Sequence, residues 1–245
     1  DADEETVGQR GAGGPVKRFW TSGAAVPGAG GWQVELDGKP LRTPAKAVLA
    51  VPREALAHAI AEEWNAVESA VEPRAMPLTG LANAAIDRIA PDGAGFAAGL
   101  AKYAEADLAC YRADGPTGLV ERQSAVWDRL LAWARRRFDV DFAVTSGIVH
   151  VDQPAATVER LAHAVAALDA FQLAGLSPMV TAGGSLVAAL AVIEGAMTAD
   201  AAWAAVSVDD AWQAERWGAD AEAEKALAGR EADFRAGARF VELAG

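Results

Sequence analysis

The sequence predicts an α+β fold: a small N-terminal α/β layer with short antiparallel strands, then a mainly helical C-terminal bundle. Three observations predict it. Trp32-Gln33-Val34-Glu35-Leu36 alternates apolar and polar residues, the period of a half-buried strand. Asp37-Gly38 follows at once, a strong hairpin-turn dipeptide. Beyond Pro52 the apolar residues recur instead at spacings of three and four, the period of amphipathic helices. The Pro-broken stretch Glu72 to Thr79, which joins two amphipathic helices, divides a small α+β unit at residues 16–75 from a helical unit at residues 76–245. Residues 1–15 are polar and Gly-rich, lack the apolar core of a secretory signal, and are expected to be flexible.

Composition narrows the class. The chain has 245 residues, 52% of them apolar, enough for a substantial core. A net charge of −12 argues against nucleic-acid binding, which requires a basic face for phosphates. The single cysteine, Cys110, has no internal disulfide partner, which suits a reducing compartment. The longest apolar stretch, residues 179–193, is shorter than the roughly 20 residues of a membrane span. It reads as one buried core helix, so no membrane insertion is expected.

The elements follow in order. Residues 16–26 hold a mixed run, Val16 to Trp20, of strand character. The Gly28-Ala29-Gly30-Gly31 run enters the hairpin. Residues 40–44, bracketed by Pro40 and Pro44, read as an edge piece, because proline donates nothing to a ladder. Residues 48–51 give a third short strand. Pro52 opens a helix whose stripe is Leu56, Ile60, Trp64, Val67 and Val71. Pro73 and Pro77 then break the chain, and Thr79 is the expected cap of a helix over residues 80–89.

A long helix after Pro116 carries Leu119, Gln123, Val126, Leu130, Ala134 and Phe138 on one face, with Trp127 and Trp133 beside it. Arg135, Arg136 and Arg137 close it, favourably for the helix dipole. They read as a solvated helix end or a contact for an acidic partner. Residues 139–145 alternate and suggest a strand. A helix over residues 154–171 follows, then one beginning at Pro178. Thr198 caps the next, which carries Trp203, Trp212 and Trp217, and the last spans residues 220–243. The C-terminal part holds about six helices.

Candidates for chemistry are few. His58, His150 and His163 lack partners at metal-ligand spacing. Cys110 sits among apolar residues and reads as a buried, inert thiol. Gly183-Gly184-Ser185 lacks the pattern of a nucleophile turn. Neither GAGG run, residues 11–14 or 28–31, has the strand-before, helix-after setting of a phosphate loop. Asp209 and Asp210 form an acidic pair among Ala and Trp residues, with Gln213 and Arg216 on following turns. Adjacent helical residues point about 100° apart, so these two carboxylates do not converge. The residues favour a binding protein over an enzyme. The alternative is a carboxylate-based hydrolase using Asp209, Asp210 or Glu222.

A distributed set of motifs carries a resemblance. It comprises Arg18-Phe19-Trp20; Gly31-Trp32; residues 36–44, LDGKPLRTP; Glu63-Trp64; Met76-Pro77-Leu78-Thr79; Cys110-Tyr111-Arg112; Gln123 with Trp127-Asp128 and Leu131-Ala132-Trp133; Gln153-Pro154; and Gln213 with Trp217-Gly218. In this order and spacing the chain resembles the assembly chaperone family of the ATP synthase F(1) sector, the one that handles the alpha subunit. Trp20, Arg129 and Ala211 depart from that pattern. The resemblance implies a non-enzymatic chaperone that binds free alpha subunit, covers the surface later taken by beta, and uses no cofactor or metal. It implies a monomer of mitochondria or related bacteria, with eukaryotic relatives in the mitochondrial matrix; the Ala-rich composition and the lack of a presequence suit a copy in the bacterial cytoplasm. The family's acidic position falls on Asp209. Asp210, Gln213 and Trp217 complete the expected contact, and Trp64 is a further candidate.

Overall fold

The structure is a computed structural model describing residues 16–147, 149–218 and 220–245. Residues 1–15, expected to be flexible and including the first GAGG run, lie outside the described residues.

Four strands, β1 (Gly23–Gly28), β2 (Gly31–Leu36), β3 (Lys39–Pro40) and β4 (Ala50–Val51), form an antiparallel sheet centred on β2. β1 lines one edge of β2. The other edge is shared, with β3 opposite Glu35 and Leu36 and β4 opposite Trp32 and Gln33. Asp37 and Gly38 both take positive φ, 50° and 77°, as the expected tight turn requires. The Asp37 carboxylate also accepts the backbone N–H groups of Ser22 and Thr21. These bonds, Ser22's first, hold it below the usual carboxylate range.

Helix α1 (Glu54–Ala66) packs on β1 and β2. Leu56 and Ile60 are buried as the stripe predicts, but the helix ends before Val71. Residues 17–20 are not a sheet strand. They wrap the C-terminal end of α1, where Arg18 donates to the carbonyls of Asn65 in its last turn, Val67 and Trp20. The last carbonyls of a helix need donors, and Arg18 supplies one.

The link to the helical part rests on one carboxylate. Helix α2 (Pro77–Ala84) starts at Pro77, earlier than expected, because proline is pre-set for the first helical position. Thr79 therefore lies inside the helix and does not cap it. Glu63 of α1 takes that role. Its two oxygens accept from Leu78 N (2.8 Å), Thr79 N (2.8 Å) and Thr79 Oγ1 (2.7 Å). A carboxylate also suits the positive end of a helix.

The chain then runs through a π turn to α3 (Gly93–Ala101), capped by Asp92. Next come β5 (Tyr111–Arg112) and the long α4 (Thr117–Phe138). The buried face of α4 is Gln123, Trp127, Leu130, Leu131 and Ala134. It is rotated from the expected stripe, with Trp127 at its centre and Leu119, Val126 and Phe138 only half-buried. Residues 139–144 form no strand. The Gln153 side chain takes the N–H and C=O of Ala143, so no ladder is needed there. Only β6 (Thr145–Ser146) pairs, parallel to β5.

Three predicted helices are shorter than expected because caps divide them. The run over residues 154–171 ends as α5 (Ala155–Ala166), and a capping box of Asp169 and Gln172 starts α6 (Ala170–Gly183). Pro178 thus lies within α6. The expected single helix over residues 179–193 breaks at Gly184 (φ 70°) and Ser185, which caps α7 (Leu186–Ile193). Thr198 caps α8 (Ala199–Val206) as expected, but Ser207 separates it from α9 (Val208–Trp217). Asp220 caps α10 (Ala221–Ala244). Among the described residues, α2 to α10 make nine helices after α1, more than the six or so predicted. None is long and apolar enough to cross a membrane.

Helix α10 crosses α6 at two glycines. A Cβ on Gly237 would lie 2.4 Å from the carbonyl oxygen of Gly175, and one on Gly175 would lie 2.7 Å from that of Gly237. Only glycine permits backbones this close. Beside this core Asp107 is fully buried. It accepts from Ala109 N (3.0 Å), Ser185 Oγ (2.8 Å) and Val187 N (2.9 Å), tying the residue 107–110 turn to the start of α7. Nearby, burial pushes the Cys110 thiol up to about 12, with the Asp107 charge adding to it.

Two stability predictions follow from these carboxylates. Glu63→Ala orphans two N–H groups at the start of α2 and should cost about 1–2 kcal/mol. For a chain of this size that lowers the thermal midpoint by roughly 2–8 °C; an unchanged midpoint would show that the cap is dispensable. Burial raises Asp107 above its ordinary 3.8, so the folded chain binds this proton more tightly than the unfolded one. Its contribution to stability is therefore greatest below that value and declines as pH rises through the folded value. Chemical unfolding of wild type and Asp107→Asn across pH should show the difference shifting against the wild type as pH rises, whereas parallel curves would refute it.

Candidate functional site

A buried glutamine organises the site. Gln123 points inward from α4 and is 1% exposed. Its Oε1 accepts from Ala113 N at 2.8 Å, and its Nε2 donates to Asp209 Oδ1 at 2.8 Å. A buried amide must satisfy both ends, and here the ends join the β5 segment to α9. One turn further along α4, Trp127 Nε1 donates to the Ala205 carbonyl at 2.8 Å. The Arg112 guanidinium lies over the Trp127 ring, 5.2 Å from its centroid, and pairs with Asp128 at 2.9 Å. These contacts fix α4 against both α8 and α9.

Asp209 stands in the first turn of α9, half-buried, where the helix N-terminus favours a carboxylate. Gln213, Arg216 and Trp217 follow on one side of the helix and are exposed, Trp217 by 75%. Trp212 is buried between two guanidinium groups, Arg122 at 4.8 Å and Arg216 at 4.9 Å from its centroid. Its ring lies against α4 at Gly118, where a Cβ would come within 2.7 Å. Arg122 grips both oxygens of Glu215, at 2.8 and 2.7 Å. That hydrogen bonding, more than charge alone, holds Glu215 below the usual carboxylate range. Helix α9 is thus clamped from beneath and presents Gln213, Arg216 and Trp217 outward.

Asp210 faces the other way, toward Arg230 on α10 at 3.4 Å. Asp209 is directed to α4 and Asp210 to α10, so the pair does not converge on a shared reacting atom as acid–base chemistry requires. Glu222 is exposed in the first turn of α10. Among the described residues no cluster of three or more His, Cys, Asp or Glu side chains is gathered to hold a metal.

Of the five residues singled out in the sequence, four share α9. Trp64 stands apart. It packs edge-on to Trp20, 4.9 Å between centroids, and its carbonyl accepts from Trp20 Nε1 at 3.1 Å. Trp20 forms a small core with Leu36, Val67 and Met76, and half-buried Trp64 packs against both it and the main core. The Gln123–Asp209 bond and the Arg122–Glu215 pair were not anticipated. Gln123 carried a usable signal, a polar residue on an otherwise apolar stripe. The Arg122–Glu215 pair, 93 residues apart in sequence, carried none.

The family model described as ATP12 chaperone protein matches residues 17–135. The crystal structure of Atp12 from Paracoccus denitrificans is 45% identical, covering 94% of this chain and 99% of that one with a TM-score of 0.88. A protein from Agrobacterium tumefaciens is 38% identical, covering 92% and 85%, with a TM-score of 0.87. Mitochondrial Atp12 of Schizosaccharomyces pombe is 26% identical over 214 residues, 82% of this chain and 74% of that protein. The chain belongs to the ATP12 chaperone family.

Proposed function

We propose that this protein is a monomeric, non-catalytic chaperone of the bacterial cytoplasm. It binds the free alpha subunit of the ATP synthase F(1) sector and shields it until beta takes its place. The observation that carries the reading is the outer side of α9. A tryptophan 75% exposed stands at the end of a helix whose first turn is anchored through Asp209 by a buried amide. An exposed large aromatic on a rigid support is the usual form of a binding hot spot. Membership of the chaperone family and the divergence of Asp209 from Asp210 support binding over turnover.

In this reading Trp217 enters an apolar depression on the client, and Gln213 offers hydrogen bonds at its edge. Asp209 supplies charge that its bond to Gln123 holds in place, so little side-chain entropy is lost on contact. Asp210 orients α9 through Arg230. Trp64 serves the small N-terminal core that carries α1 and, through Glu63, α2.

Purified protein should suppress aggregation of unfolded alpha subunit at near-equimolar ratio without nucleotide. Trp217→Ala should weaken capture about 30-fold, the loss of a hot spot worth roughly 2 kcal/mol. Asp209→Lys should weaken it at least about tenfold. Because that change also breaks the bond to Gln123, Trp217→Ala is the cleaner probe. Capture unaltered by either variant, measured with thermal unfolding as the check on folding, would show that α9 is not the contact.

A further inference from the structure

The C-terminal half of α4 leaves a groove against α8 that the α9 site does not use. Its volume is about 570 Å³. Val126 and Trp133 form one wall and Met197 closes an end, while Ala201 and Ala204 of α8 give it a small-residue side. Arg129 and Arg136 stand on its rim, both exposed and without an ion pair among the described residues. Their neighbours differ. Arg135 pairs with Asp141, Arg137 with Glu194, and Arg160 with Asp139. Arg129 and Arg136 therefore put two guanidinium groups, with no acid paired to them among the described residues, beside an apolar groove.

We propose that this groove holds an acidic amphipathic helix of the captured client. The inference rests on the reading of the chain as a chaperone of the alpha subunit and adds a second contact to it. The charge and spacing set the occupant's chemistry. Arg129 and Arg136 are seven residues apart on one helix, about 10 Å along its axis. A guest helix lying in the groove with carboxylates two turns apart meets both guanidinium groups. The alanines allow its backbone to approach α8 closely. A small-molecule site would instead gather a few polar groups at one point of an apolar pocket, and here the two charged groups are separated and exposed. The groove also continues along α4 from the residues that hold α9.

The test uses full-length protein with a benzophenone photo-crosslinking side chain at position 204, and the double variant Arg129→Glu, Arg136→Glu. Irradiation with alpha subunit should crosslink a client segment of apolar residues flanked by Asp or Glu. The double variant should capture alpha at least about tenfold more weakly, with an unchanged thermal midpoint. Crosslinks to a second copy of the chain or within the same chain would overturn the assignment. So would normal capture by the double variant, which leaves the α9 reading standing. If the wild type captures no alpha subunit, the proposed function fails and the groove assignment falls with it.

Discussion

The site depends on the satisfaction of one buried amide. Gln123 lies in the apolar face of α4, where an unpartnered side-chain amide costs roughly 1–3 kcal/mol. Both of its ends are used, one on the backbone of Ala113 and one on Asp209. That requirement fixes where α9 begins and which way its first carboxylate points. Trp127 sets the neighbouring helix by the same logic, through the Ala205 carbonyl. With the first turn of α9 pinned and Trp212 held between two arginines, Gln213, Arg216 and Trp217 are left facing solvent on a rigid support.

The same device recurs across the fold. Glu63 ties α1 to α2, and Asp107 ties the residue 107–110 turn to α7. Each is an acid or amide buried or half-buried that satisfies backbone donors on another element. The helices they join are short and rich in alanine and glycine, so each buries modest apolar area alone. Close approach, as at Gly175 and Gly237, recovers contact for such helices, and the polar clips define which helix meets which. Thus Glu63-Trp64 and Met76-Pro77-Leu78-Thr79, far from α9, are explained by assembly of the fold: the first supplies a cap and a small-core aromatic, and the second is the helix start that receives the cap.

Much of this was legible in the residues, for identifiable reasons. The β2 strand and its Asp37-Gly38 turn are local, set by alternation and by two positive φ angles. The starts of α8 and α10 were readable because Thr198 and Asp220 cap from their own side chains. The cap of α2 was misplaced onto Thr79 because the true cap comes from another helix, and no local pattern reveals a donor in trans. Two Ala-rich runs, residues 179–193 and 199–217, concealed breaks at Ser185 and Ser207, because alanine periodicity does not distinguish one helix from two. The α9 residues were legible as one helix apart from Trp64, but the contacts that hold that helix were not, since they depend on the packing of α4 against α8 and α9.

The central claim is that α9, presented by the Gln123 clip, is the surface that meets the client. Amide hydrogen exchange of the full chain, with and without purified alpha subunit, tests it most directly. The account predicts slowed exchange concentrated in residues 208–217 and the adjoining part of α4, with the β-sheet unchanged. Protection confined to the sheet and the Trp20–Trp64 core, or no change on saturating addition of alpha, would contradict it.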